Sequence, residues 1–154
     1  MTRVEAREPG SGRRRTRTVL RLAIGAILFV TAIGKLLDVP GFARVLGTYR
    51  ALPDAAVFPA AVAVPAAELL LALWLFSDRR PLGAAVAALL MHLAYAAWSA
   101  TAILRGLALP NCGCFGVFLP RPLGWSTVAE DLVVAGACAW LAAAARAPSG
   151  DRLA

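Results

Sequence analysis

Residues 82–104 read "LGAAVAALLMHLAYAAWSATAIL", 23 positions without a single Asp, Glu, Lys or Arg. As a helix rising 1.5 Å per residue, the stretch covers about 35 Å, enough to cross the ~30 Å hydrocarbon layer of a bilayer. It has no charged face to turn toward water, and its one ionisable side chain, His92, stands near its middle. Backbone N–H and C=O groups in lipid must be paired within the segment, so the stretch is predicted to be a membrane-spanning helix.

Three more stretches of about 20 predominantly apolar residues are also long enough to span: Thr18–Leu37, with Arg21 and Lys35 inside it, Ala56–Phe76, with Glu68, and Gly124–Ala145, with Glu130 and Asp131. With Leu82–Leu104 they predict an all-α integral membrane four-helix bundle. The composition agrees: 60% of the 154 residues are hydrophobic and 16% are charged, against about 25% charged in soluble domains. The net charge of +7 does not point to nucleic acid. The basic residues flank apolar spans and do not form a face interleaved with aromatics. Three regions follow: a basic cytoplasmic tail at 1–17, read as disordered to about Arg13, a membrane domain at 18–145 and a short tail at 146–154. Arg21 interrupts the first apolar run and "TAIGKLLD" is a poor cleavage site, so the first span is read as retained.

Orientation is predicted from Lys and Arg. The first 21 residues hold seven arginines, and Arg79, Arg80, Arg146 and Arg152 fall on the same side, eleven in all. Lys35, Arg44, Arg50, Arg105 and Arg121 fall on the other, five in all. Both termini are therefore predicted in the cytoplasm of a multi-pass protein of the inner or plasma membrane, with the loops at 38–55 and 105–123 outside.

The first outer loop reads "DVPGFARVLGTYRALPD" (38–54). Phe42, Val45, Leu46 and Tyr49 fall at i, i+3, i+4 and i+7, which predicts a short amphipathic helix at the outer interface. It covers the bundle mouth or, in a sharper reading, acts as a lid over the second loop. That loop contains "NCGCFG" (111–116). Outside a bacterial cytoplasm disulfides form and persist. A Cys112–Gly113–Cys114 bridge would close a small ring, and strained, exposed disulfides are the exchangeable ones. A redox-active pair is favoured over a local staple or a pair of reduced thiols. Two thiols are too few for a zinc site, so no metal is predicted.

Ionisable groups inside spans are functional candidates by default. Glu68 and His92 each lie about twelve residues from the outer ends of their spans, near the midplane, and are expected to pair. Lys35 is expected to pair with Glu130 or Asp131 on depth. Interhelical polar glue is the plainer reading of these five residues, and a proton path or quinone-facing site the sharper one. Cys138, mid-span, reads as a small packing residue.

In order along the chain, "GKLLD" (34–38), "GFARVLGTYRALP" (41–53), "PAAE" (65–68), "RG" (105–106), "CGCFG" (112–116) and "GW" (124–125), with Asp131 following, resemble the MauE/DoxX-type family of small four-helix membrane proteins, its MauE branch in particular. The resemblance covers about residues 18–145. It implies a redox-associated protein of methylamine utilisation, needed to mature the disulfide-rich small subunit of exported methylamine dehydrogenase beside a thioredoxin-like partner. The wider superfamily implies links to thiol and quinone redox. Carried over, the redox pair is Cys112 and Cys114. Gly34, Lys35, Asp38, Tyr49, Pro65 and Glu68 match the pattern without an agreed role. Glu130 departs from it, and there is no second cysteine pair, so a partner would supply the missing exchange.

Taken together, the chain is expected to be a membrane thiol–disulfide oxidoreductase component acting with an exported thioredoxin-like protein or client. A quinone is the one cofactor this reading admits. The alternatives are a non-catalytic assembly factor and, less favoured, a small transporter coupled through Glu68 and His92.

Overall fold

The structure, a computed structural model, describes residues 9–146. The outer parts of the two predicted tails, 1–8 and 147–154, lie outside the described residues. Five helices make up the rest: α1 (Pro9–Leu36), α2 (Val39–Thr48), α3 (Asp54–Ser77), α4 (Pro81–Leu104) and α5 (Trp125–Arg146). The four long helices are each long and apolar enough to cross a membrane. Three of them match the predicted spans to within two residues. The fourth, α1, begins at Pro9, ahead of the apolar boundary at Thr18. Proline is tolerated in a first turn and arginine is a good helix former, so helix and apolar span need not start together.

Large apolar side chains stay exposed on every long helix, among them Val30, Leu70, Leu90 and Val133. In a chain with four such helices these are surfaces for lipid. Helix α1 packs mainly on α3, and α4 on α5. The dry core sits toward one end, where Leu28, Leu75, Ala84, Ala85, Ala88 and Cys138 meet. Alanines on α4 let its neighbours approach closely, and Cys138 is fully buried among them. The same end is sealed by Arg21, which donates to the last-turn carbonyls of Leu75 and Phe76 and faces Asp78 at 3.4 Å. Helix α3 continues through Pro59 and Pro65.

At the other end, α2 lies across the mouth. Asp38 caps it, accepting the Gly41 N–H at 2.8 Å. Its far end is held by Arg105, whose guanidinium donates to the carbonyls of Tyr49 (2.9 Å) and Arg50 (3.0 Å). A cation on the last carbonyls of a helix satisfies acceptors that have no helical partner.

Candidate functional site

The loop between α4 and α5 folds back on itself. Leu123 N–H donates to the Leu109 carbonyl at 2.9 Å, and Cys112 N–H to the Arg121 carbonyl at 2.7 Å. Asn111 closes the tip, its Oδ1 accepting from Gly113 N–H (2.8 Å) and its Nδ2 donating to the Gly116 carbonyl (3.0 Å). The tip then docks on the end of α1, backbone against backbone. A Cβ on Gly34 would stand 2.8 Å from the Phe115 carbonyl oxygen, and one on Gly116 closer still to that of Gly34. Gly116 also has φ +70°, which a side chain would disfavour. Glycine at both positions is what allows "GK" and "CFG" to meet.

Docking places the cysteines under α2. Gly113 packs beneath Val45 and Phe42, and Tyr49 reaches in to donate its hydroxyl to the Cys112 carbonyl at 2.7 Å. The thiols are therefore not on an exposed loop tip, as the sequence reading expected. Cys112 is 9% exposed and Cys114 half-buried, because the loop descends into the mouth. Their sulfurs lie 2.6 Å apart as thiols, and the Cys114 N–H faces the Cys112 sulfur at 3.4 Å. Cys112 is held well below the usual thiol range, chiefly by the hydrogen bond from the Cys114 thiol. Burial opposes this, while the Cys114 N–H and the charge of Arg121 add to it. The same bond, then burial, pushes Cys114 up. The pair is thus asymmetric, with Cys112 the thiol that ionises first.

Both cysteines look into a cavity of about 830 Å³ walled by all four long helices, α2 and the loop. The candidate residues inside the helices reach it, with partners other than those expected. Lys35 binds Glu68 through both carboxylate oxygens, at 2.6 and 2.8 Å, and Tyr95 donates to Glu68 Oε1 at 2.7 Å. All three atoms groups meet inside the bundle, where Glu68 is 1% and Lys35 4% exposed. His92 Nδ1 lies 3.1 Å from Asp131 Oδ1. Glu68 does not pair with His92, and Lys35 pairs with neither Glu130 nor Asp131. Depth alone could not say which helices are neighbours, and α1 packs on α3 while α4 packs on α5. Side chains also lean toward their own helix N-terminus. Lys35 therefore leans inward from α1 and Glu68 outward from antiparallel α3, which closes their apparent difference in depth. Glu130, one residue from Asp131, faces the rim and binds Arg121 at 2.6 and 3.0 Å, both side chains exposed.

Tyr95 and Arg105 were given no role in a site from the sequence, and Tyr49 only a place on the apolar stripe of α2 and in the family pattern. Tyr95 follows His92 by three residues and so shares its helix face. A tyrosine on the apolar stripe of α2 needs a hydroxyl partner once buried. These signals were present but weak.

The family model described as "Methylamine utilisation protein MauE" matches residues 13–144. Two curated relatives are each described as methylamine utilization protein MauE. That of Paracoccus denitrificans is 35% identical over 115 residues, 75% of this chain and 62% of the relative. That of Paracoccus versutus is 32% identical over 136 residues, 86% of this chain and 73% of the relative. This chain thus spans less than two thirds of the first relative's length. No solved structure matches the chain.

Proposed function

The chain belongs to the MauE family, and from that premise we propose that it serves methylamine utilisation as a multi-pass membrane protein that exchanges disulfides with an exported partner. Both termini lie in the cytoplasm and the Cys112–Cys114 loop outside, as the lysine and arginine bias favours. The partner is a thioredoxin-like protein or the exported client itself.

The asymmetry of the cysteine pair carries this reading. In the oxidised pair, a partner thiolate attacks the Cys114 sulfur, the more exposed of the two. Cys112 leaves as the thiolate, which the Cys114 backbone N–H and the positive charge of Arg121 favour even when the Cys114 sulfur is bonded to the partner. A mixed disulfide on Cys114 results. The partner's second thiolate then attacks its own sulfur in that bond. The partner is left oxidised and the pair reduced.

The test is trapping in cells. Cys112→Ser leaves Cys114 to hold the mixed disulfide, and a reducible adduct with an exported protein is expected. Cys114→Ser should give much less. One observation favours a second reading, a non-catalytic assembly factor: α2 covers both thiols. If the double Cys112→Ser, Cys114→Ser variant matures the exported client at the normal rate, the assembly reading replaces the exchange reading.

A further inference from the structure

Exchange as described leaves the pair reduced, and this chain has no second cysteine pair to accept the electrons. Cys138, the third cysteine, is sealed in the dry core at the opposite end. The acceptor must therefore come to the cavity that the pair faces. Building on the exchange reading, we propose that this cavity binds a membrane quinone, which takes two electrons and two protons from Cys112 and Cys114.

Size comes first. About 830 Å³ lies within the 300–1,000 Å³ range of small-molecule sites. The walls come next: Ile27, Phe42, Val64, Trp98, Val133 and their neighbours are apolar. Apart from Phe42, on α2, they sit on helices long and apolar enough to cross the hydrocarbon layer. A charged acceptor such as a nicotinamide nucleotide would lose its hydration there, and the two cations on the wall, Lys35 and Arg121, are already bound to Glu68 and Glu130. A flat, lipid-soluble carbonyl compound would not.

The polar groups are few and already placed. Glu68 engages Lys35 and Tyr95, which leaves that cluster internally satisfied. His92 differs. It is 4% exposed and lines the cavity, and its Nε2 is the one buried side-chain N or O atom without a hydrogen-bond partner among the described residues. A buried polar atom left unmade costs about 1–3 kcal/mol, so the site calls for a partner. Asp131, a carboxylate acceptor, requires the hydrogen on Nδ1. Nε2 is then an acceptor when the ring is neutral and a donor when it is protonated. It can therefore receive a hydroquinone O–H and, once protonated, donate to a quinone carbonyl. Those are the two states of one redox couple.

The balance closes. The two S–H bonds of Cys112 and Cys114 break and one S–S bond forms. Two electrons and two protons leave the pair, reducing quinone to hydroquinone. His92 holds the acceptor's oxygen and can relay a proton to it.

Binding and electron transfer are tested separately, on full-length protein in lipid nanodiscs with decylubiquinone as the probe. The double Cys112→Ser, Cys114→Ser variant cannot react, and titration by equilibrium dialysis should give saturable one-site binding. In that background His92→Leu should weaken binding about tenfold, the worth of one buried hydrogen bond, and His92→Gln should restore part of it. Val64→Trp, which fills the cavity, should abolish it. If His92→Leu fails to fold, Val64→Trp and His92→Gln still decide the matter. With the native cysteines, reduced and anaerobic, one decylubiquinol should form for each pair of thiols lost.

Non-saturable partitioning alone, or binding unchanged by Val64→Trp and His92→Gln, would overturn the proposal. So would pair oxidation by dissolved oxygen that quinone does not accelerate. If the quinone fails while the Cys114 adduct still forms in cells, this inference falls and the exchange reading stands. Quinone reduction without any adduct upholds the cavity and removes the partner.

Discussion

The two ends of the bundle are built on opposite terms. At the Arg21 end, Leu28, Leu75, Ala88 and Cys138 close on one another with no polar group among them, and Arg21 ties α1 to the end of α3. At the end that carries the cysteines the helices diverge around a cavity, and the Lys35–Glu68 ion pair and the His92–Asp131 hydrogen bond stand on its wall. Alanine-rich packing gives the Arg21 end close contact and leaves it no room for chemistry. The cysteine end accepts buried charge and void volume, both of which oppose stability. The difference teaches that the fold is held from one side so that the other can stay open.

The largest expected effect breaks that comparison at its most buried charge. Lys35→Met or Glu68→Leu alone leaves an ion without its partner inside the bundle, and should cost about 3–5 kcal/mol. The double variant, with both charges gone and similar volume, should recover most of the loss. Reversible unfolding in mixed micelles would measure the cycle. Equal losses for the double and single variants would mean that the pair itself is not what matters.

The dry end supplies the contrast. Leu75→Ala should cost about 2–5 kcal/mol through lost packing and a cavity. It should leave the alkylation rates of Cys112 and Cys114 at the wild-type value, because the dry core draws none of its residues from the loop that carries the thiols. A changed thiol reactivity in Leu75→Ala would show the two ends to be coupled.

Much of this division was legible in the sequence. Predominantly apolar runs of some twenty residues gave the long helices to within two residues at most ends, and Phe42, Val45, Leu46 and Tyr49 gave α2. The residues that matter at the cysteine end were also visible, because an ionisable group in an apolar run is conspicuous. Their partners were not. Glu68 and His92 sit at matching depth on consecutive spans, yet α3 packs on α1 and α4 on α5. Hydropathy measures depth and is blind to which helices adjoin. The burial of the cysteines was hidden for a related reason. It rests on Gly34 and Gly116 meeting across 82 residues of chain, a contact no local pattern records.

That glycine contact can be tested on a smaller scale. Gly34→Ala puts a methyl 2.8 Å from the Phe115 carbonyl oxygen, and neither backbone can yield cheaply. The loop should lift, at a cost of about 1–3 kcal/mol. Cys114 should then label faster with a membrane-impermeant maleimide. Unchanged labelling would mean that α2 alone, not the docked loop, shields the pair.

The smallest effect concerns the rim. Arg121 and Glu130 are bidentate like Lys35 and Glu68 but exposed, and an exposed pair is worth about 0–1 kcal/mol. Arg121→Gln should therefore leave stability within that range. It should still be felt at the thiol, because the positive charge of Arg121 helps hold Cys112 low. The sign follows from the charge. Removing a cation disfavours the thiolate, so the pH midpoint of Cys112 alkylation should rise. In the wild type that midpoint lies below the ordinary thiol value of about 8.5. The larger rise belongs to Cys114→Ser, which removes the thiol whose hydrogen bond contributes most to the lowering. The rise in Arg121→Gln should also shrink in high salt in the comparison with wild type, since screening weakens an exposed charge more than a buried hydrogen bond. A midpoint that moves equally in both variants would place the control of Cys112 at the rim and not in the pair.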